Sequence, residues 1–77
     1  MYKVTICSLL YGNNTDTTQY SGEGSTVQAA LNRARKSMYE VYTAGVISFD
    51  YDVYKADKET GEWIYIQTLG ESIQNKK

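Results

Sequence analysis

The stretch from residue 46 to residue 69 constrains the fold most, because apolar and polar side chains alternate on both sides of a glycine-containing turn. Before the turn, the apolar positions are Ile47, Phe49, Tyr51 and Val53. After the turn, Ile64 and Ile66 alternate with Trp63, Tyr65, Gln67 and Leu69. A period of two is typical of a strand with one buried face. The stretch therefore predicts a β-hairpin whose aliphatic side, including Ile64 and Ile66, faces the core.

The turn between these two strands predicts how they pair. With Asp57 and Glu62 as the flanking pair, residues 58–61 form a four-residue loop, a type I turn that ends on a left-handed glycine. The pairs that this register sets are Tyr54 with Tyr65 and Val53 with Ile66. A loop one residue shorter would mix the apolar and polar faces, since the side chains of a strand alternate.

The first ten or so residues predict another strand, Tyr2 to Tyr11. One face would carry Val4, Ile6, Ser8 and Leu10, and the other Lys3, Thr5, Cys7, Leu9 and Tyr11. Gly12-Asn13-Asn14 then predicts a tight turn, because these residue types tolerate positive φ angles. Residues 15–21 fit either a short, polar edge strand that pairs with the first strand or a loop.

A helix is predicted after the break at Gly22-Glu23-Gly24. Ser25 and Gln28 have the spacing of a capping box, and Ala44-Gly45 would end the helix with a C-terminal glycine. The apolar stripe at helical spacing consists of Val27, Ala30, Leu31, Ala34 and Met38, with Val41 or Tyr42 as the next member.

These elements predict an α+β fold, in which one helix packs on one face of an antiparallel or mixed sheet of three to four strands. The order is ββαββ, or βαββ if residues 15–21 form a loop, with the last strand in the sheet interior beside the first. We expect a single domain at residues 1–70 and a flexible polar tail at 71–77. Hairpin–helix–hairpin order resembles the β-grasp domains, including the small bacterial immunoglobulin-binding modules, and this resemblance supports the fold class alone.

Composition excludes several classes of function. The formal net charge is −1, there is no histidine, and Cys7 is the one cysteine. The commonest general base and metal ligand are therefore missing, and so is a disulfide framework. Asp50 and Asp52 point the same way on a strand, but without further ligands we interpret them as solvated acids. We expect no enzyme, no cofactor, no metal and no membrane partner, and a cytoplasmic location.

The face of the sheet opposite the helix is the candidate binding site. The residues predicted to contact a partner there are Trp63, Tyr65, Tyr54, Asp50, Asp52 and Tyr11. Aromatic side chains rimmed by acids are enriched in protein interfaces. The simpler interpretation is that the tyrosines and the tryptophan stabilise the sheet through cross-strand pairs.

The first hypothesis for function is a small, non-enzymatic protein-binding module that docks another protein through this face, or a second copy of itself as a homodimer. A chain of this kind would suit an accessory protein of a phage or mobile element that inhibits a bacterial defence complex. The alternative is a nucleic-acid-binding domain that uses the basic helix residues Arg33, Arg35 and Lys36. That alternative ranks second, because the aromatic face and the basic helix lie on opposite sides of the sheet.

Overall fold

The computed structural model describes residues 1–43 and 45–75. These residues form a five-stranded antiparallel sheet and one helix, which confirms the α+β fold class. In chain order the elements are β1 (Tyr2–Tyr11), β2 (Asn14–Asp16), β3 (Tyr20–Gly24), α1 (Val27–Tyr39), β4 (Gly45–Ala56) and β5 (Trp63–Asn75).

The strand order differs from the predicted one. β1 pairs with β2 and β3 along one side and with β4 along the other, and β5 pairs with β4 at the far edge. The prediction that the last strand lies in the interior beside the first was therefore wrong. It rested on the apolar composition of β5, which does not determine the neighbours of a strand. Residues 15–21 form parts of two short strands with a connection between them, so both the strand and the loop interpretation were partly correct.

Helix α1 begins and ends at residues other than those predicted. Thr26 is the N-cap, and its hydroxyl accepts a hydrogen bond of 3.1 Å from the backbone N–H of Ala29. Ser25 therefore lies just before the cap, and the Gln28 side chain donates to Asn32 instead of closing a capping box. The helix ends at Tyr39 with Glu40 as C-cap. The sequence predicted that Ala44-Gly45 would end the helix. Ala44 lies outside the described residues, and Gly45 is the first residue of β4.

The glycines at 22 and 24 belong to β3 and do not break the chain as predicted. A Cβ atom at Gly22 would lie 2.5 Å from both the Ala30 carbonyl oxygen and the Ala34 backbone nitrogen. A Cβ atom at Gly24 would lie 2.8 Å from the Cβ atom of Ala29. Glycine is therefore needed at these positions because the helix backbone lies almost directly on β3.

The core lies between α1 and the strands β1, β3 and β4. Its buried apolar residues are Val4, Ile6, Leu9, Tyr20, Ala30, Leu31, Ala34, Met38, Ile47, Phe49 and Val53. The helix contributes the predicted stripe, of which Ala30, Leu31, Ala34 and Met38 are buried. None of these core residues comes from β5, so the helix covers the half of the sheet that is built on β1 and β3.

A β-bulge in β1 reverses the faces of its second half. The register with β4 shifts between Cys7 and Leu10, and Ser8 has a φ of 51°. Leu9 is consequently buried in the core, whereas Leu10 is 47% exposed. The prediction placed Leu10 inside and Leu9 outside, and it was wrong because strict alternation ignores the extra residue of a bulge.

The β4–β5 hairpin has the predicted turn and a second bulge. The backbone N–H of Asp57 donates to the Glu62 carbonyl at 2.8 Å, and Gly61 has a φ of 74°. Tyr54 pairs with Tyr65 as predicted, but the register shifts next to this pair, so Val53 pairs with Gln67 and not with Ile66. Ile64 and Ile66, expected in the core, are 52% and 46% exposed because no helix residue of the described chain covers this end of the sheet.

Strand β5 also extends further than the sequence predicts. Residues 71–75, expected to form part of a flexible tail, continue the pairing with β4 up to the Gly45–Asn75 pair, and residues 76 and 77 lie outside the described part of the chain. The thirteen residues of β5 and the twelve of β4 make a ladder that runs along the 42 Å long axis of the molecule. No helix in residues 1–43 and 45–75 is long and apolar enough to cross a membrane.

Candidate protein-binding face

The outer face of the sheet, on the side opposite α1, is built by alternate residues of three neighbouring strands. Directly paired residues share a face, and the pairs Lys3–Tyr54, Thr5–Asp52 and Cys7–Asp50 join β1 to β4. The pairs Ala56–Trp63, Tyr54–Tyr65, Asp52–Thr68 and Asp50–Gly70 continue this face onto β5. Five of the six predicted partner-binding residues therefore lie on one face: Trp63, Tyr65, Tyr54, Asp50 and Asp52.

Three aromatic rings and one ammonium group form a cluster at one end of this face. The rings of Tyr54 and Tyr65 meet edge to face with centroids 5.9 Å apart. The ammonium nitrogen of Lys3 lies 5.9 Å from the ring centroid of Tyr54 and 5.9 Å from that of Trp63. Rings attract cations through their negative faces, so Lys3 holds Tyr54 and Trp63 together. Tyr65 is 55% exposed, so part of the cluster remains open to solvent.

A hydrogen-bonded chain connects this aromatic cluster to the acidic part of the face. The Thr68 hydroxyl donates to Asp52 Oδ1 at 2.6 Å. Since Thr68 has a single hydroxyl proton, the 2.6 Å contact between the hydroxyls of Tyr65 and Thr68 is a donation from Tyr65. The bulge beside Val53 is what brings Thr68 to this face, because it shifts every later residue of β5 by one position. Sequence alternation placed Gln67 and Leu69 there instead and missed Thr68.

Asp50 and Asp52 differ in their surroundings. Asp52 accepts the Thr68 hydrogen bond and lies 4.0 Å from the Cys7 sulfur, whereas Asp50 is exposed. Opposite Asp50 lies Gly70, which has no side chain to cover the carboxylate. Within the described residues, neither acid forms an ion pair. Asp50 therefore adds an open negative charge to the same face as the aromatic cluster, four strand positions from Tyr54.

Burial and the two acids suppress ionisation on this face. The pKa of the Cys7 thiol is raised by burial and by the charges of Asp52 and Asp50. The pKa of Tyr54 is raised by burial and then by Asp52. Cys7 therefore stays a neutral thiol at physiological pH, which is the opposite of what nucleophilic catalysis needs.

Tyr11, the sixth predicted partner residue, lies on the other side of the sheet. It follows the bulge at Ser8, pairs with the buried Ile47, and packs its ring against Tyr42 with centroids 4.8 Å apart. The prediction that Tyr11 belongs to the outer face was therefore wrong, for the same reason as for Leu9. Leu69, also expected outside, pairs with Tyr51, which faces the core.

The basic residues of the helix face are partly used within the molecule. The Arg33 guanidinium donates to the carbonyl oxygen of Glu23 at 2.7 Å. Arg35 forms an ion pair with Glu71 of β5 and so ties the helix to the edge of the sheet. Lys36 is exposed in the last turn of α1.

A second polar cluster, at Asp16, anchors β2 to the segment that follows the helix. Asp16 Oδ2 accepts hydrogen bonds from the hydroxyls of Tyr42 at 2.6 Å and Tyr20 at 2.9 Å, and Oδ1 accepts from the backbone N–H of Thr18 at 2.8 Å. These bonds, that of Tyr42 above all, hold the pKa of Asp16 well below its usual range. The bond to Asp16 raises the pKa of Tyr42 to about 12. The cluster was not predicted from the sequence, because Tyr42, whose bond to Asp16 has the largest effect, is distant from Asp16 in the chain.

This cluster predicts a dependence of stability on pH. A lowered carboxyl pKa in the folded state stabilises the fold above the unfolded-state pKa of about 4, and this contribution disappears as pH falls further. At neutral pH, Asp16→Asn should therefore unfold at a lower temperature than wild type. The difference between the two unfolding temperatures should become smaller below about pH 4. Thermal unfolding of both proteins between pH 7 and pH 2 measures this difference. A difference that stays constant down to pH 2 would contradict the stabilising role of the Asp16 carboxylate.

The described residues contain no group of three or more His, Cys, Asp or Glu side chains placed to hold a metal ion. Comparisons of the chain with protein-family models, with curated proteins and with solved structures find no match.

Proposed function

We propose that this protein is a non-enzymatic binding module that docks another protein through the outer face of its sheet. The observation that carries the proposal is the cluster of Trp63, Tyr54 and Tyr65, which is partly open to solvent and held in place by Lys3 and by the Asp52–Thr68–Tyr65 hydrogen bonds.

The fixed geometry of this cluster favours binding. Ordering a side chain at an interface costs about 0.5–1.5 kcal/mol, and rings that are already held by neighbours avoid much of this cost. Tryptophan and tyrosine also contribute large contact areas and are the most frequent anchors of protein interfaces. Simple stabilisation of the sheet accounts for the Tyr54–Tyr65 pair, and the 55% exposure of Tyr65 leaves part of its ring available to a partner.

The charges on the face indicate what a partner would present. Asp50 is exposed and forms no ion pair within the described chain. A partner with complementary charge would place an arginine or lysine opposite Asp50 and an apolar surface opposite the aromatic rings. We place the protein in the bacterial cytoplasm, as an accessory protein of a phage or mobile element that inhibits a host complex.

Nucleic acid is the less favoured partner. Arg33 and Arg35 both make contacts within the chain, and the open acid Asp50 lies on the face that holds the aromatic rings. Base stacking on these rings would bring phosphates close to Asp52, which is linked to Tyr65 through Thr68, on the same face as Asp50.

The test is capture from a bacterial lysate, before and after nuclease treatment, with tagged wild-type protein, Trp63→Ala and Ile64→Ala. Ile64 is the matched control, because it is the next residue of β5, is 52% exposed, and lies on the opposite side of the sheet. We expect a specific protein with wild type and Ile64→Ala, and at least about 30-fold less of it with Trp63→Ala, the effect typical of a central aromatic anchor. Circular dichroism should show that all three proteins are folded.

Two results would contradict the proposal. Equal capture by wild type and Trp63→Ala would place any interaction elsewhere. Retention that depends on nucleic acid, ignores Trp63 and falls steeply with salt would favour the basic helix instead.

A further inference from the structure

The two edges of the sheet are built differently. On one side of β1 the edge consists of two short strands, β2 with three residues and β3 with five, separated by residues 17–19. On the other side, β5 runs for thirteen residues. Short or interrupted edge strands are a common protection against pairing with another chain. The first edge has this protection and β5 does not.

The sequence of β5 also lacks the residues that usually block an edge. Residues 63–75 contain no lysine, arginine or proline, and Glu71 is their one charged residue. The charge of Glu71 is balanced within the chain by Arg35. The bulge at Ile66 distorts the start of the strand, which leaves residues 67–75 as a regular edge.

Apolar side chains follow this edge on the side that faces the helix. Ile66 is 46% exposed and Leu69 is 38% exposed, because none of the buried core residues of the described chain comes from β5, of which Ile73 packs partly against the core. A strand added beside β5 would cover the outward flank of Leu69 and satisfy the outward-pointing N–H and C=O groups of residues 67–75.

We propose that β5 pairs antiparallel with β5 of a second copy of this chain, so that five strands from each copy form one continuous sheet. In a two-fold symmetric pair, the same residues of both copies meet at the contact. The side chains of the β5 edge must therefore not repel their counterparts in the second copy. Apart from the compensated Glu71, residues 67–75 are uncharged, and the net charge of the chain is only −1. Each Glu71 is paired with Arg35 of its own copy, so a second copy meets little electrostatic repulsion. The pairing leaves the outer face free on both copies, so it is independent of the proposed function.

Sedimentation equilibrium over a range of protein concentrations tests this pairing. We expect wild type to approach twice the monomer mass of 8.7 kDa, and Leu69→Lys to dimerise at least about tenfold more weakly, since lysine on an edge opposes pairing. Gln67→Lys is a second variant at an exposed position of the same edge. Val41→Lys is the matched control, because it adds the same charge at an apolar residue that is 59% exposed and lies outside β5.

A folded wild-type protein that stays monomeric at the highest concentration would overturn the proposal. Dimers that survive both edge variants but are lost in Trp63→Ala would also overturn it, by placing the contact on the outer face. Leu69→Lys and Gln67→Lys proteins that are folded monomers and still capture the partner protein would support both proposals. They would show that pairing through β5 is not needed for binding through the outer face.

Discussion

Replacing Gly22 by alanine is expected to remove more than half of the stability of the folded state. The added methyl carbon would lie 2.5 Å from two backbone atoms of α1 and 2.7 Å from the Cβ atom of Arg33. Backbone atoms of a helix cannot move aside singly, so the helix must lift from β3 as a whole. Overpacking typically costs about 1–3 kcal/mol, and we expect a loss at the upper end or beyond, against a total stability of roughly 5 kcal/mol for a domain this small.

Urea unfolding, followed by circular dichroism, measures this loss. Glu23→Ala is the control, because residue 23 is the next position of β3 and its side chain is exposed, so its midpoint should change little. If Gly22→Ala unfolds at the wild-type midpoint, the helix does not rest on β3 as the structure shows.

Leu9→Ala is expected to cost far more stability than Leu10→Ala. Leu9 is fully buried and Leu10 is 47% exposed. Truncating a buried leucine typically costs about 2–5 kcal/mol, a large part of the total stability of a domain this small, whereas truncating an exposed leucine costs less than about 1 kcal/mol. The two changes are chemically identical, so the difference reports only which side of the sheet each side chain occupies.

The comparison of these two variants in urea therefore tests the bulge at Ser8. Without the bulge, alternation from Val4 and Ile6 would bury Leu10, and the order of the two midpoints would reverse. A reversed order would also mean that Tyr11 lies on the outer face, because the bulge determines the face of Tyr11 as well.

Local features of the fold could be predicted from the sequence. The turn at residues 58–61 specifies the pairing beside it, so the Tyr54–Tyr65 pair was predicted correctly. The apolar stripe of α1 and the α+β class follow from periodicity. The N-cap was missed by one residue, because Ser25 and Thr26 are both good caps and only their backbone geometry decides between them.

The bulges and the strand order could not be predicted in the same way. A bulge inserts one residue without a fixed signature, and both bulges fall where consecutive apolar or β-forming residues fit either face. Leu9 and Leu10 are such a pair, and the run from Ile64 to Leu69 is another. The edge position of β5 depends on which strands meet in three dimensions, and its isoleucines indicated an interior strand that the structure does not show.

The candidate site was accordingly predicted in part. Trp63 and Tyr65 precede the second bulge and lie with Tyr54, Asp50 and Asp52, as the alternation indicated. The contribution of Lys3 depends on contacts between strands that are far apart in the chain. Thr68 could not be found without knowledge of the bulge.

The most direct test of the central claim uses the one tryptophan of the chain. In an isotope-labelled sample, the indole N–H of Trp63 gives a single resonance that reports on the outer face, while an unlabelled partner from the capture experiment remains invisible. We predict that this resonance shifts or broadens as the partner is added, together with the backbone amides of Lys3, Tyr54 and Tyr65, and that the amides of α1 stay in place. A partner that binds while the indole resonance remains unchanged would contradict the assignment of the outer face as the binding surface.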